Sequence, residues 1–88
     1  MKVIKRDGRT IEFDRAKIEI AIEKANKEVR AKERATKEEI EEIIDYIVEL
    51  GKKRILVEDI QDIIEEKLME FDKYELAKKY IVYRYTRA

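Results

Sequence analysis

The chain contains no cysteine, no histidine, no tryptophan and no proline, and only two glycines among its 88 residues. Without cysteine there is no thiol nucleophile and no disulfide. Without histidine there is no Ser-His triad, and the lack of both removes the usual zinc sites. Such a chain suits a reducing compartment, and a cytoplasmic location is expected. With Gly8 and Gly51 alone, no Gly-x-x-x-x-Gly-Lys-Ser/Thr loop can cradle a phosphate, so side chains must do that work. No run approaches the ~20 apolar residues of a membrane span, and no signal-peptide pattern opens the chain.

What is abundant is charge. Charged residues make up 48% of the chain, 21 basic and 21 acidic, for a net charge of zero. That balance argues against nucleic acid as a partner. The charge is unevenly placed. Residues 1–17 carry six cations against three acids, residues 73–88 five against one, and residues 36–50 one cation, Lys37, against six acids. If the two ends meet in space, they build one basic pocket on an otherwise acidic body. The Glu-, Lys- and Ile-rich, proline-free composition is that of a thermophilic or deliberately idealised protein. The length supplies one domain, residues 1–88, that buries about two-thirds of its unfolded surface and leaves little room for a catalytic cavity.

The chain is organised around its opening stretch. Two β-type runs, Lys2–Arg6 and Arg9–Phe13, flank Asp7-Gly8. Asp-Gly between alternating apolar residues predicts a hairpin with a two-residue type I′ turn. That loop sets Ile4 opposite Ile11, with Phe13 on the same core-facing side and Val3, Lys5, Thr10 and Glu12 on the other. Asp14 offers an N-cap oxygen to the helix that follows. Lys5, Arg6, Arg9 and Lys17 put four cations on or beside this corner. Two readings stand: an ordinary solvated edge hairpin, or an anion site in which Val3 beside Lys5 suits a flat base next to a phosphate chain.

Four helices are expected. The first spans about Arg15 to Ala31, with Ile18, Ile22, Ala25 and Val29 at helical spacing. Ile20 and Ala21 widen its stripe, either within a monomer or to meet a second copy. Lys32–Ala35 connects to a capping box, Thr36 with Glu39. The second helix runs from there to about Leu50, with Ile40, Ile43, Ile44, Ile47 and Val48 on one face and Gly51 as the left-handed stop. Its acidic face is either solvated or a dock for a basic partner. Ile55-Leu56-Val57 is too short for a helix and leads into a third, Glu58 to Glu70, burying Ile60, Ile63, Ile64, Leu68 and Phe71. Asp72 is expected to cap the last helix, Lys73 to about Arg87, with Ala77, Tyr80 and Ile81 inward and Leu76 and Tyr83 flanking. Arg84 and Arg87 continue that inner face. Charge beside a core needs an anionic partner, here either a carboxylate such as Glu12 or Asp62, or a phosphate.

Three stretches together resemble a known family. Val3-Ile4-Lys5-Arg6-Asp7-Gly8-Arg9, with Glu12-Phe13-Asp14 and Lys17-Ile18, is similar to the opening of an ATP cone, the regulatory nucleotide-binding domain at the N-terminus of many ribonucleotide reductases and of the repressor of their genes. Val57-Glu58-Asp59-Ile60-Gln61-Asp62 and Leu76-Ala77-Lys78-Lys79-Tyr80-Ile81-Val82-Tyr83-Arg84 match further along. The resemblance covers nearly the whole chain, with a variable middle. It implies an α+β fold, a four-helix bundle capped by a small three-stranded mixed β-sheet made of the N-terminal hairpin and a short strand near 54–57.

The resemblance also implies a ligand, ATP or dATP with Mg²⁺, bound without catalysis. It assigns Lys5 and Arg6 to phosphate, with Lys17 adding positive charge at the helix start; Arg84 matches the Tyr-Arg end of the family motif, Arg87 a basic position at the end of the last helix, and Gln61 a position near the sugar. Val3 and Ile18 are placed to sandwich the adenine edge. Asp14 matches a polar position near adenine, where a carboxylate can accept from the exocyclic amine; it is equally the natural N-cap. Ile11 stands where many members have Glu, Val57 where some have a hydroxyl residue, and Gln61 where some have His. Partners implied are an adenine nucleotide, a second copy through the first helix, and a reductase catalytic domain in a parent protein. The rival reading is a stable scaffold, natural or designed, that keeps the fold without the ligand.

Overall fold

A computed structural model describes the backbone of residues 1–86 and the side chains of residues 1–84. Strand β1 (Lys2–Ile4) pairs antiparallel with β2 (Thr10–Glu12) and parallel with β3 (Arg54–Leu56), giving the sheet order β2-β1-β3. Four α-helices follow the order α1 (Arg15–Asn26), α2 (Lys37–Glu49), α3 (Val57–Glu70) and α4 (Tyr74–Thr86), with a 3₁₀ turn at Ala31–Glu33. Helix α4 packs on both α1 and α3, and α2 closes the bundle against α1 and α3. The sheet and four helices are the α+β architecture expected.

The core is an isoleucine core. Ile22, Ile43, Ile44, Ile47, Ile64, Leu68 and Leu76 are fully buried, drawn from all four helices. Thr36 caps α2 through the expected reciprocal box: its hydroxyl accepts from Glu39 N at 3.1 Å, and the Glu39 carboxylate accepts from Thr36 N at 2.8 Å. Gly51, at φ 66, ends that helix. Val48 is 44% exposed, so it stands off the buried stripe to which its spacing assigned it.

The hairpin register differs from the expected one. Val3 pairs with Ile11, and Ile4 with Thr10. Gly8 N–H donates to Lys5 O at 2.9 Å, and Lys5 N–H to Arg9 O at 2.8 Å, which closes a three-residue loop rather than a two-residue one. Only Gly8 takes a positive φ, 88°; Asp7 does not, so a type I′ turn is excluded. Asp7 turns its carboxylate onto Arg9 N at 3.0 Å and Arg9 Nε at 2.7 Å. One extra loop residue moves the facing side chains by one. Val3 becomes the buried strand residue, flanked by Ile11 on one side and buried Ile55 on the other. Ile4 is half-buried beside Thr10 instead of opposite Ile11.

Two helix ends also differ. Helix α1 stops at Asn26 rather than Ala31, because the Asn26 amide clamps the chain ahead: Nδ2 donates to Ala35 O at 3.1 Å and Oδ1 accepts from Ala35 N at 3.0 Å. Arg34 Nε then donates to the carbonyls of Asn26 at 3.0 Å and Val29 at 3.3 Å. Asp72 does not cap α4. It sits at φ 60 and ends α3, with Asp72 N–H on Met69 O and Lys73 N–H on Leu68 O, a Schellman motif with Asp in the usual glycine place. Val57 belongs to α3, one residue earlier than expected, and β3 ends at Leu56.

Candidate functional site

The inner face of the hairpin, the first turns of α1 and α3 and the latter half of α4 enclose a cavity of about 710 Å³. Val3, Lys5, Arg6, Asp14, Lys17, Ile18, Val57, Gln61 and Arg84 all line it. Nine of the ten candidates from the sequence are thus brought together; the tenth, Arg87, lies outside the described residues. The front of the polypeptide and its last helix do meet.

The cations divide into two groups. At the hairpin, Arg9 is held by Asp7 and Arg6 lies 3.3 Å from Glu58 on the first turn of α3. The Arg9 backbone N–H, bonded to the Asp7 carboxylate, holds that acid below its usual range, and the Arg9 and Lys5 charges add to this. Among the described residues no carboxylate forms an ion pair with Lys5 or Lys17. Lys17 stands in the first turn of α1, where the helix end is itself electropositive and no acid is present in the turn. Asp14 caps that helix, Oδ1 accepting from Ala16 N at 3.0 Å.

On the far wall, Arg84 is 12% exposed and sits against two carboxylates of α3, Asp62 at 3.3 Å and Glu65 in closer contact still. The sequence named Asp62 as one candidate partner; the other, Glu12, is instead bonded to Lys2. Burial works against the Arg84 charge, but the Glu65 and Asp62 hydrogen bonds outweigh it and raise its pKa. Tyr80 lies beside this pair, and burial keeps its phenol protonated well above the ordinary range.

Between the two groups the lining is apolar, with Ile11, Phe13, Ala21, Ile60 and Ile64 added to the candidates. Gln61 stands in this stretch, and its Oε1 is buried with no hydrogen-bond partner among the described residues. Tyr80, Tyr83 and Glu65 were not among the candidates. Their signal was present as spacing: Gln61 with Glu65 and Tyr80 with Arg84 are each four apart on a helix, hence neighbours. No group of residues suited to hold a metal ion occurs among the described residues.

The fold is a small mixed sheet on a four-helix bundle, with a cation-rimmed cavity between them. The ATP cone domain family model matches residues 1–88, and the chain belongs to the ATP-cone family, an allosteric regulatory module of ribonucleotide reductases. The chain is 39% identical over 95 residues to the ribonucleoside-diphosphate reductase subunit alpha of Chlamydia pneumoniae, covering 98% of this chain and 9% of that protein. It is 38% identical to the vitamin B12-dependent ribonucleoside-diphosphate reductase of Thermoplasma acidophilum, over 98% of this chain and 12% of that protein. The anaerobic ribonucleoside-triphosphate reductase of Haemophilus influenzae is 37% identical over 97% of this chain and 12% of its own length. The chain therefore spans about a tenth of the length of these curated relatives.

Proposed function

We propose that this chain is a one-domain module that binds ATP or dATP reversibly, with Mg²⁺ carried on the triphosphate, and turns over nothing. The observation that carries this reading is the placement of Lys5 and Lys17. Among the described residues neither has a carboxylate partner, both line one cavity, and that cavity continues into apolar walls at Val3 and Ile18. Lysine ammonium groups at a helix start favour an anion, and the apolar walls favour a flat ring. Arg6 adds a third donor at the same rim. The Asp14 carboxylate, with one oxygen committed to the cap, offers its other to the adenine amine. Arg87 is proposed as a further cation at the end of α4, on the family resemblance.

The relatives point to the wider role. In a parent protein the module sits beside a reductase catalytic domain and couples nucleotide occupancy to oligomeric state, in the cytoplasm. Helix α1 is proposed as the self-association surface; Ile20 is 49% exposed on it. No helix among the described residues is long and apolar enough to cross a membrane, and nucleic acid is not proposed as a partner.

One observation favours the rival reading, a scaffold without a ligand: Arg6, Arg9 and Arg84 each already face a carboxylate. Thermal unfolding separates the two. A ligand bound only by the folded state raises the transition, so ATP, dATP and GTP are titrated in turn with magnesium. A shift with adenine nucleotides supports the module; an unmoved transition with all three supports the scaffold.

A further inference from the structure

The two cationic groups of the cavity are not equivalent, and helix α3 measures the distance between them. Arg6 faces Glu58 on the first turn of α3; Arg84 faces Asp62 and Glu65, one and two turns on. At about 1.5 Å per residue, Glu65 lies roughly 10 Å farther along the helix than Glu58. Lys5 and Lys17 present positive charge with no ion pair among the described residues. Among the described residues Arg84 presents one positive charge beside two negative ones, which disfavours a phosphate there. Drawing Arg84 away would also strand Glu65, a side chain only 15% exposed, without its counter-charge.

Gln61 lies between these two points, and its buried Oε1 is an acceptor with no donor among the described residues. An ionised triphosphate has only acceptor oxygens and cannot satisfy it; a nucleoside, with amine and hydroxyl donors, can.

We propose that Arg84 serves the nucleoside end of the ligand and not its phosphates, and that Glu65 is the positioning residue that holds its guanidinium flat in the cavity wall. This rests on the adenine-nucleotide reading above. A guanidinium locked by carboxylates is planar, weakly hydrated and already neutralised, which fits it to pack on a heteroaromatic ring. Lys5, Arg6 and Lys17 then hold the triphosphate without Arg84. The sequence left Arg84 either a carboxylate or a phosphate as its partner; this assignment takes the carboxylate.

The test compares ATP with inorganic tripolyphosphate, which has the charge but no nucleoside. Calorimetric titrations of the unaltered protein, Glu65→Gln, Arg84→Lys and Lys17→Ala are run with both, below each variant's unfolding temperature. Glu65→Gln and Arg84→Lys are expected to weaken ATP about tenfold, the scale of one stacked guanidinium, and to leave tripolyphosphate unchanged. Lys17→Ala is expected to weaken both. A purely structural effect of Glu65 would lower both ligands together, and that result, or no loss of ATP binding in either variant, overturns the proposal. Tripolyphosphate that fails to bind the unaltered protein contradicts the separation of the two ends. Failure of ATP itself to bind removes the nucleotide reading and the inference with it.

Discussion

Arg6 and Glu58 stand 3.3 Å apart, joining the hairpin loop to the first turn of α3 at the rim of the cavity. The Glu58 side chain is more than half exposed, so the pair is a weak solvent-screened contact and not a buried bridge. A phosphate arriving at Arg6 competes with this carboxylate. Glu58→Gln is therefore expected to tighten ATP binding about two- to fivefold, the scale of an exposed ion pair. A titration showing weaker binding in the variant would place Glu58 on the ligand's side rather than against it.

Lys17 sets binding against stability. A cation in the first turn of α1 opposes the helix dipole, by about 0.3–1 kcal/mol at an exposed site. Lys17→Ala is expected to leave the ligand-free protein as stable or slightly more stable, while ATP binding falls about tenfold. Urea unfolding and calorimetry on the same preparation read both quantities. A loss of stability without a loss of affinity would make Lys17 a structural residue.

The turn at Gly8 gives a prediction that is independent of ligand. An added Cβ meets nothing within 4 Å, so space is not the constraint; the φ of 88° is. Gly8→Ala is expected to cost about 1–2 kcal/mol, the price of a left-handed backbone for an L-residue, and Gly8→Asn less. Equal stability of both variants with the native chain, by urea unfolding, would contradict the three-residue loop.

This same loop marks where the sequence could be read and where it could not. Asp-Gly announces a hairpin, but a two-residue loop and a three-residue loop both accept it; the choice turned on whether Asp7 takes a positive φ, and its carboxylate's bond to Arg9 favours the longer loop. The helices were legible through local rules: apolar spacing, the Thr36–Glu39 box, the Gly51 stop. The overlong α1 was not, because its end is fixed by the Asn26 side chain reaching Ala35, a tertiary contact that periodicity does not encode. The cavity was legible from the two ends of the chain, since each carried its own motif. The charge state of its far wall was not, because Arg84 and Glu65 are 19 residues apart on different helices.

Tyr80 supplies a pH dependence. Burial raises its folded pKa above the ordinary value of 10.0, with Arg84 opposing and Glu65 adding to the shift. Below pH 10 the phenol is protonated in both folded and unfolded chains, and its contribution to stability is fully present. As pH rises past 10 the unfolded chain releases this proton more readily than the folded one, so stability falls. Tyr80→Phe is expected to flatten this alkaline limb of the unfolding curve between about pH 10 and 12 while changing the neutral region little. An identical limb in the variant would assign the alkaline loss to other groups.

The proposed binding mode requires Lys5 and Lys17 to grip one triphosphate from two different elements. Calorimetric titration of the protein with Mg-ATP, beside the Lys5→Ala and Lys17→Ala variants, tests this most directly. Saturable heat is expected for the unaltered protein, with a loss of about tenfold or more in affinity for each variant. Saturable heat of equal affinity in all three proteins, or none in any, would contradict it.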